Sequence, residues 1–227
     1  MTCKEILKWI RSQHNPTAVA GMARYGINPR NTYGVSAPAL QQMARVIGRN
    51  HALAEQLWDS DIHDARHLAA MMDDPAAVTE RQMERWVKGF DSWDICDGCC
   101  NNLFRKTAFA YTKAIAWSKR KEEYVKRAGF VLMACLAVHD KAASDARFER
   151  FLPIIKREST DERNFVKKAV NWALRQIGKR NQKLRRKAIK TANKIQRLDS
   201  KAARWIASDA LRELESKNTP IKNLPRR

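Results

Sequence analysis

Three carboxylates and a tryptophan lie close together in segment 90–100 of a chain that otherwise carries a large excess of cations. Ser92 or Asp91 is the expected N-cap of a helix here, because a short side-chain oxygen can accept from the free amides of the first turn. On that helix Trp93 and Asp97 are four residues apart and share one face. An indole ring and a carboxylate both attract positive charge, so the pair could meet a cationic ligand. The alternative is structural: one buried ring and one ion-paired acid.

The excess of positive charge predicts a polyanionic partner. The 227 residues contain 44 Lys and Arg against 24 Asp and Glu, a net charge of +20, with a pI near 10.1. Nucleic acid fits this charge better than an anionic membrane surface does. The chain starts with polar residues and shows no signal peptide or membrane span, so we expect a cytoplasmic protein.

The cysteines are predicted to be reduced thiols. There are five, an odd number, in a chain without a secretory signal. Cys96, Cys99 and Cys100 are clustered, but no matching Cys or His pair follows them, so we expect no zinc site and no other metal. No glycine-rich phosphate loop is present either, and no cofactor is expected.

The spacing of apolar residues predicts an all-α fold. Apolar positions recur every three to four residues, and strand signals are almost absent. We expect a curved α-solenoid of degenerate HEAT-like helix pairs, in one domain over 1–216 with a flexible tail at 217–227; a compact helical bundle is the alternative. The expected helices are 3–12, 16–25, 36–47, 52–59, 62–72, 79–89, 92–102, 104–118, 121–138, 144–158, 161–179, 181–197 and 201–216.

Basic segments later in the chain are candidates for DNA binding. Segment 179–190 is rich in Lys and Arg, contains no acid and keeps an apolar stripe, which predicts a helix with a basic outer face. Duplex phosphates would reduce the repulsion among its like charges. Trp172 has Lys168 four residues before it and Arg175 three after it on the same helical face. The predicted DNA contacts in these segments are Lys126, Lys168, Arg175, Lys179, Arg180, Lys183, Arg186 and Lys187.

Four segments together resemble a known family. In order along the chain, segments 33–40, 57–69, 92–97 and 168–175 are similar to the DNA alkylation repair family of HEAT-repeat DNA glycosylases, the AlkC/AlkD group. The resemblance covers nearly the whole chain. It implies a curved array of HEAT-like repeats that holds duplex DNA in a concave basic face. A solenoid that binds DNA is expected to work as a monomer, away from membranes and with no obligate protein partner, and to be associated with the nucleoid when bound to DNA.

The resemblance to the AlkD-like branch of this family also implies an activity. Its members excise cationic N3- and N7-alkylated purines from duplex DNA without a base-flipping pocket, a step of base excision repair. Matching motifs assign Trp93, Asp97 and Trp172 as the catalytic residues. The resemblance further implies DNA contacts by Arg127 and Tyr25.

Departures from the family pattern keep other hypotheses open. Some members carry two Trp before the acid where this chain has one, and here Gly98 and a cysteine pair follow. Asp91 or Asp94 could equally be the exposed acid. A non-catalytic module that binds damaged or branched nucleic acid is therefore the main alternative, and a protein-binding scaffold is a third hypothesis.

Overall fold

A computed structural model describes residues 1–216, which form α-helices and one short 3-10 helix and contain no β-strand. The predicted all-α fold is confirmed. The predicted tail, 217–227, lies outside the described residues. The α-helices are α1 (Cys3–Ser12), α2 (Pro16–Arg24), α3 (Ala37–Ile47), α4 (His51–Asp59), α5 (His63–Met72), α6 (Glu80–Lys88), α7 (Trp93–Asn102), α8 (Ala110–Trp117), α9 (Glu123–His139), α10 (Asp145–Glu149), α11 (Phe151–Glu158), α12 (Asn164–Gly178), α13 (Gln182–Gln196) and α14 (Lys201–Glu215). Among residues 1–216, no helix combines the length and the apolar character needed to cross a membrane.

Local capping sets many of the helix starts. Thr79 is the N-cap of α6 as its sequence context predicts, and its side chain accepts from the Gln82 amide at 3.1 Å. Gln82, three residues after Thr79, is also of the type that predicts a capping box, but the box does not form. The Gln82 side chain is buried and donates to Asp73 at 2.6 Å, and its carbonyl oxygen accepts no hydrogen bond. The contact with Asp73 therefore holds the Gln82 side chain away from the Thr79 amide that it would bind in a capping box.

Two predicted helices are each broken in the structure. Segment 104–118 forms a 3-10 turn, Phe104–Lys106, followed by α8. The break occurs because Thr107 adopts an extended conformation, and its hydroxyl donates to Phe104 O at 2.8 Å. Segment 144–158 divides into α10 and α11. Pro153 lies in the first turn of α11, where its missing N–H is tolerated, whereas in the middle of a continuous helix it would remove a hydrogen bond and clash with the preceding turn.

The first of two compact units covers Met1–Phe109. In this unit α5 packs against α3, α4 and α7. The indoles of Trp58 and Trp86 are stacked at 4.1 Å in its core. The Asp64 carboxylate, buried in the first turn of α5, accepts from Tyr33 N and Val35 N at 2.7 Å each. These two bonds fasten the loop before α3 to α5.

The second unit begins at Ala110. Its centre is α9, which packs against α8 and α12, while α12 also contacts α13 and α14. Gly129 lets α9 approach the end of α8, because a Cβ there would lie 2.5 Å from the Ser118 amide nitrogen. The single helical-repeat domain expected over 1–216 stays a prediction.

Candidate nucleic-acid interface and acidic centre

Helix α7 carries the predicted acidic centre. It begins at Trp93 after Ser92, in agreement with the predicted N-cap position, but the Ser92 hydroxyl makes no capping hydrogen bond to the helix. The Trp93 indole donates from Nε1 to the backbone oxygen of Tyr25 at 2.9 Å, and the Tyr25 side chain is 77% exposed. Asp97 follows one turn later, and both it and Trp93 are half-buried. The first unit therefore brings Trp93, Asp97 and the backbone of Tyr25 into one neighbourhood.

The other two acids of this segment are held by side chains from elsewhere in the first unit. Asp91 accepts from Asn28 Nδ2 at 2.6 Å. Asp94 Oδ2 lies 2.9 Å from His63 Nε2 and 3.2 Å from His67 Nε2. Both carboxylates therefore have an intramolecular role, and the choice of Asp97 as the catalytic acid stays a prediction.

The environment of Asp94 keeps its carboxylate ionised. Burial raises its pKa, but the contacts with the His63 and His67 imidazoles lower it more strongly, and the net pKa lies well below the usual range. The Asp94 carboxylate therefore faces the two imidazoles in its ionised form near neutral pH.

Trp172 belongs to the second unit, on α12. It is half-buried, and Lys168, one turn before it, is exposed. Arg175, one turn after it, donates to Glu213 at 2.6 Å and lies 3.7 Å from Asp209. The indole is thus flanked by one exposed cation and by one cation that an acid of α14 already neutralises.

Two predicted DNA contacts on α9 take part in packing within the second unit. Arg127 is buried and donates to Phe165 O at 2.6 Å. Lys126 Nζ lies 2.7 Å from Glu158 and 3.2 Å from Asp161, and only 12% of its side chain is exposed. These contacts tie α9 to the end of α11 and to the first turn of α12. That the two cations contact DNA stays a prediction.

Arg180 does not lie on an exposed basic face. It precedes α13, is buried, and lies 3.9 Å above the Phe148 ring. Its guanidinium donates to Ala137 O at 2.7 Å and to Ala143 O at 3.3 Å. Its predicted position is therefore corrected, because two backbone oxygens and an aromatic ring hold the cation inside the unit.

Three other cations of the basic segment are paired with acids. Lys179 Nζ lies 2.6 Å from Glu213. Lys183 and Lys187, one turn apart on α13, lie 3.3 and 2.6 Å from Glu149. The hydrogen bond from Lys187 is the main reason that the Glu149 pKa is lowered. These pairs reduce the net positive charge of their part of the surface.

A different stripe of α13 keeps its positive charge. Arg186, Lys190 and Lys194 follow one another at four-residue intervals, and Arg197 comes three residues later, so the four lie along one side of the helix. Together with Ile189 and Asn193 they line a shallow surface groove. Among residues 1–216 no carboxylate forms an ion pair with any of these four. We call Arg186, Lys190, Lys194 and Arg197 the cationic stripe.

Sequence reasoning identified only Arg186 of this stripe as a DNA contact. The spacing of the other three cations was a usable signal, but which cations are neutralised depends on acids from other helices. The His63–His67–Asp94 cluster was missed altogether. Its two histidines show the four-residue spacing of one helical face, but Asp94 comes 27 residues later.

Comparison with solved structures shows that the chain has the HEAT-like repeat fold. A solved structure with this fold matches with a TM-score of 0.78 and 21% identity over 98% of this chain and 100% of the other. That protein is described as belonging to a family related to the HEAT-like repeat DNA glycosylases, with affinity for branched DNA structures.

The family follows from the comparison of sequences. A family model for the DNA alkylation repair enzymes matches residues 6–214, and the chain therefore belongs to this family. The resemblance deduced from the four motifs is confirmed. No curated protein matches the chain.

Proposed function

We propose that this protein is a DNA glycosylase that removes cationic N3- and N7-alkylated purines from duplex DNA. Membership of the DNA alkylation repair family supports a role in repair. The observation that carries the proposal is the pairing of Trp93 and Asp97, half-buried and one turn apart on α7. The hydrogen bond to Tyr25 O orients the indole.

The chemistry needs little from the protein beyond a positioned negative charge. An N3- or N7-alkylated purine is already cationic and can leave without a general acid. As the glycosidic bond breaks, the deoxyribose gains positive charge, as a sugar does in glycoside hydrolysis. The Asp97 carboxylate would stabilise that charge and orient the attacking water.

Trp93 would complete the site from its ring face, which attracts a developing cation and excludes bulk water from the sugar. Trp172, on α12 of the second unit, stays a predicted catalytic residue. Catalysis of this kind acts at the backbone side of the nucleotide and requires no pocket for a flipped base. Lys168, exposed one turn before Trp172, would contact a phosphate.

The cationic stripe on α13 would contribute a second set of phosphate contacts. Three of its cations are spaced along one side of α13 and the fourth, Arg197, is the C-cap of that helix. None of the four has an acidic partner within residues 1–216. A cation that neutralises a phosphate releases a condensed counterion, so binding should weaken as salt rises. Affinity that comes from phosphate contacts does not depend on the nucleotide sequence of the DNA.

Base release tests the proposed reaction. Duplex DNA with a single N7-methylguanine is incubated with wild type, Asp97→Asn and the matched control Asp91→Asn, and abasic sites are revealed with alkali. We expect release by wild type and by Asp91→Asn, and a rate at least about 100-fold lower for Asp97→Asn, the size of effect seen when one electrostatic stabiliser is removed. Unchanged release by Asp97→Asn would remove this acid from the mechanism.

The second candidate is a non-catalytic module for branched DNA. It is favoured by the matching structure, whose family is described as having affinity for branched DNA. Binding to a four-way junction and to a linear duplex of equal length distinguishes the two functions. Tight, salt-sensitive junction binding, with no base released from N7-methylguanine or N3-methyladenine, would replace the glycosylase with this module.

A further inference from the structure

A compact group of metal-ligating side chains joins α5 to α7, apart from the residues of the proposed function. His63 and His67 lie one turn apart on α5, and Asp94 is in the first turn of α7. We propose that these three residues bind a divalent first-row cation such as Zn²⁺, which fastens α5 to the start of the helix that carries Asp97.

The distances between the donor atoms fit a single small ion. The two Nε2 atoms lie 2.9 and 3.2 Å from Asp94 Oδ2, and one ligand atom from each residue lies within 4.8 Å of the others. Zinc bonds of about 2.0–2.1 Å in a tetrahedral site separate neighbouring ligand atoms by about 3.3 Å. The two distances to Asp94 Oδ2 are thus within a few tenths of an ångström of the separation that zinc requires.

The orientation of His63 favours a shared ion over a simple hydrogen bond. Its Nε2 is at hydrogen-bond distance from the carboxylate, yet neither ring nitrogen of this buried side chain makes a hydrogen bond. In a metal site the lone pairs of the ligands converge on a point beside the donor atoms and do not point at one another. A cation at that point would also satisfy a buried nitrogen that otherwise carries a desolvation cost.

Asp94 is held in a form suited to coordination. Its Oδ1 accepts from the amide of Ile95 at 2.9 Å, which leaves Oδ2 facing the two imidazoles. Two nitrogens and one carboxylate oxygen suit zinc, cobalt or nickel rather than calcium or magnesium, which prefer all-oxygen sites. Three protein ligands leave a fourth position for water.

Gly98 makes room for one of the ligands. A Cβ at this position would lie 2.8 Å from His67 Nδ1 and 3.0 Å from His67 Cε1. The backbone of α7 can thus approach the imidazole only because residue 98 has no side chain. The same glycine is one of the departures from the family pattern, which links this departure to the geometry of the cluster.

Metal binding by the full-length protein tests the proposal. Protein without an affinity tag is stripped with a chelator, dialysed, and titrated with Zn²⁺ in competition with a chromogenic chelator; Co²⁺ absorption then reports the coordination number. We expect one equivalent of Zn²⁺, a four-coordinate Co²⁺ spectrum, and a melting temperature that rises with Zn²⁺ concentration.

Three variants and one matched control locate the ion. We expect His67→Ala and Asp94→Asn to weaken Zn²⁺ binding at least about 100-fold, since each removes a ligand. Gly98→Ala should weaken it about 10-fold by displacing the His67 ring while all three ligands remain. His51→Ala is the control, because His51 contacts Asp73 at 2.7 Å in the same unit without a third ligand, and its Zn²⁺ affinity should equal that of wild type.

Two results would overturn the proposal. Zn²⁺ binding no tighter in wild type than in a His63→Ala/His67→Ala double variant would leave the cluster as a purely hydrogen-bonded one. Tight binding that persists in His67→Ala and Asp94→Asn would locate the ion elsewhere, for example on the thiols of Cys96, Cys99 and Cys100. Circular dichroism confirms that each variant is folded. Because the readout is metal binding, failure here is separate from failure of base release.

Discussion

Two carboxylates of the first unit and two of the second unit have different kinds of partner. In the first unit, Asp64 and Asp94 are withdrawn from solvent and hold backbone amides or imidazoles. In the second unit, Glu149 and Glu213 remain partly exposed and pair with lysine or arginine side chains. The former arrangement positions chain segments, whereas the latter neutralises charge.

In a chain with a net charge of +20, the position of the acids determines which cations of α13 keep their charge unpaired. Acids of the second unit neutralise Lys179, Lys183 and Lys187, whereas the cationic stripe of α13 has no such acid among residues 1–216. Selective neutralisation therefore defines a surface that the count of Lys and Arg does not reveal. The comparison also predicts a large effect for the buried acid Asp64 and small effects for the partly exposed acids Glu149 and Glu213.

The largest effect should follow from Asp64→Ala. The variant leaves the amides of Tyr33 and Val35 without their charged acceptor, and we expect the free energy of unfolding to fall by about 3–4 kcal/mol. Urea denaturation measures it. The control is Asp59→Ala, whose side chain is exposed and pairs with Arg85 at the surface, where a change below about 1 kcal/mol is expected. Equal losses in the two variants would contradict the contrast between buried and exposed acids.

The next effect concerns DNA affinity. Changing the four residues of the cationic stripe to Gln should lower affinity for duplex DNA about 10- to 100-fold and reduce the slope of log K against log salt by about 3–4, with the melting temperature unchanged. Fluorescence anisotropy at several salt concentrations measures both. The matched control changes four exposed cations of the first unit to Gln, namely Lys4, Lys8, Arg11 and Lys88. If the control lost as much affinity, net charge rather than the stripe would carry the binding.

A smaller effect is expected from Glu213 as the pH falls. Burial raises its pKa, but the hydrogen bonds from Lys179 and Arg175 lower it more, so its net pKa is below the ordinary value of 4.5. A lowered folded pKa means that the stabilisation is present above pH 4.5 and is lost as the pH falls through the folded pKa. Glu213→Gln should therefore be less stable than wild type by under about 1 kcal/mol at pH 7. Melting curves should converge in acid, and a constant difference down to low pH would argue against this pair.

The smallest effect should come from Glu149→Gln. The acid pairs with Lys183 and Lys187 in a partly exposed position, so its loss should change the free energy of unfolding by about 0.5 kcal/mol or less. Removing it also frees two cations near the stripe, and DNA affinity should rise about two- to threefold. Anisotropy and urea denaturation test the two parts separately. Weaker DNA binding by this variant would show that the acid does more than neutralise charge.

Much of the helical architecture could be predicted from the chain alone. Helix α1 was predicted with the bounds that it has, and Ser36, Thr79 and Ser92 were placed correctly at helix starts. These features depend on the spacing of apolar residues and on caps a few residues away, which are both local in sequence. The breaks near Thr107 and Pro153 were missed because the apolar pattern continues through them.

The candidate site was predictable only in part. The four-residue spacing of Trp93 and Asp97 was readable from the sequence, and so was the cationic character of α13. The burial of Arg180 was not, because its partners come from helix α9 and the loop after it, about 40 residues earlier. The grouping of His63 and His67 with Asp94 was hidden for the same reason.

The sequence by itself determined that the chain is all-helical, where most of its helices begin, and that it carries a large positive charge. Apolar periodicity and helix capping depend on residues that are neighbours in the sequence, and net charge is a sum over all charged residues. Only the tertiary structure decided which carboxylates are buried, which cations they neutralise and which side chains gather into a possible metal site. Those outcomes depend on which helices pack together, since hydrogen bonds and ion pairs act over a few ångströms between residues far apart in the chain.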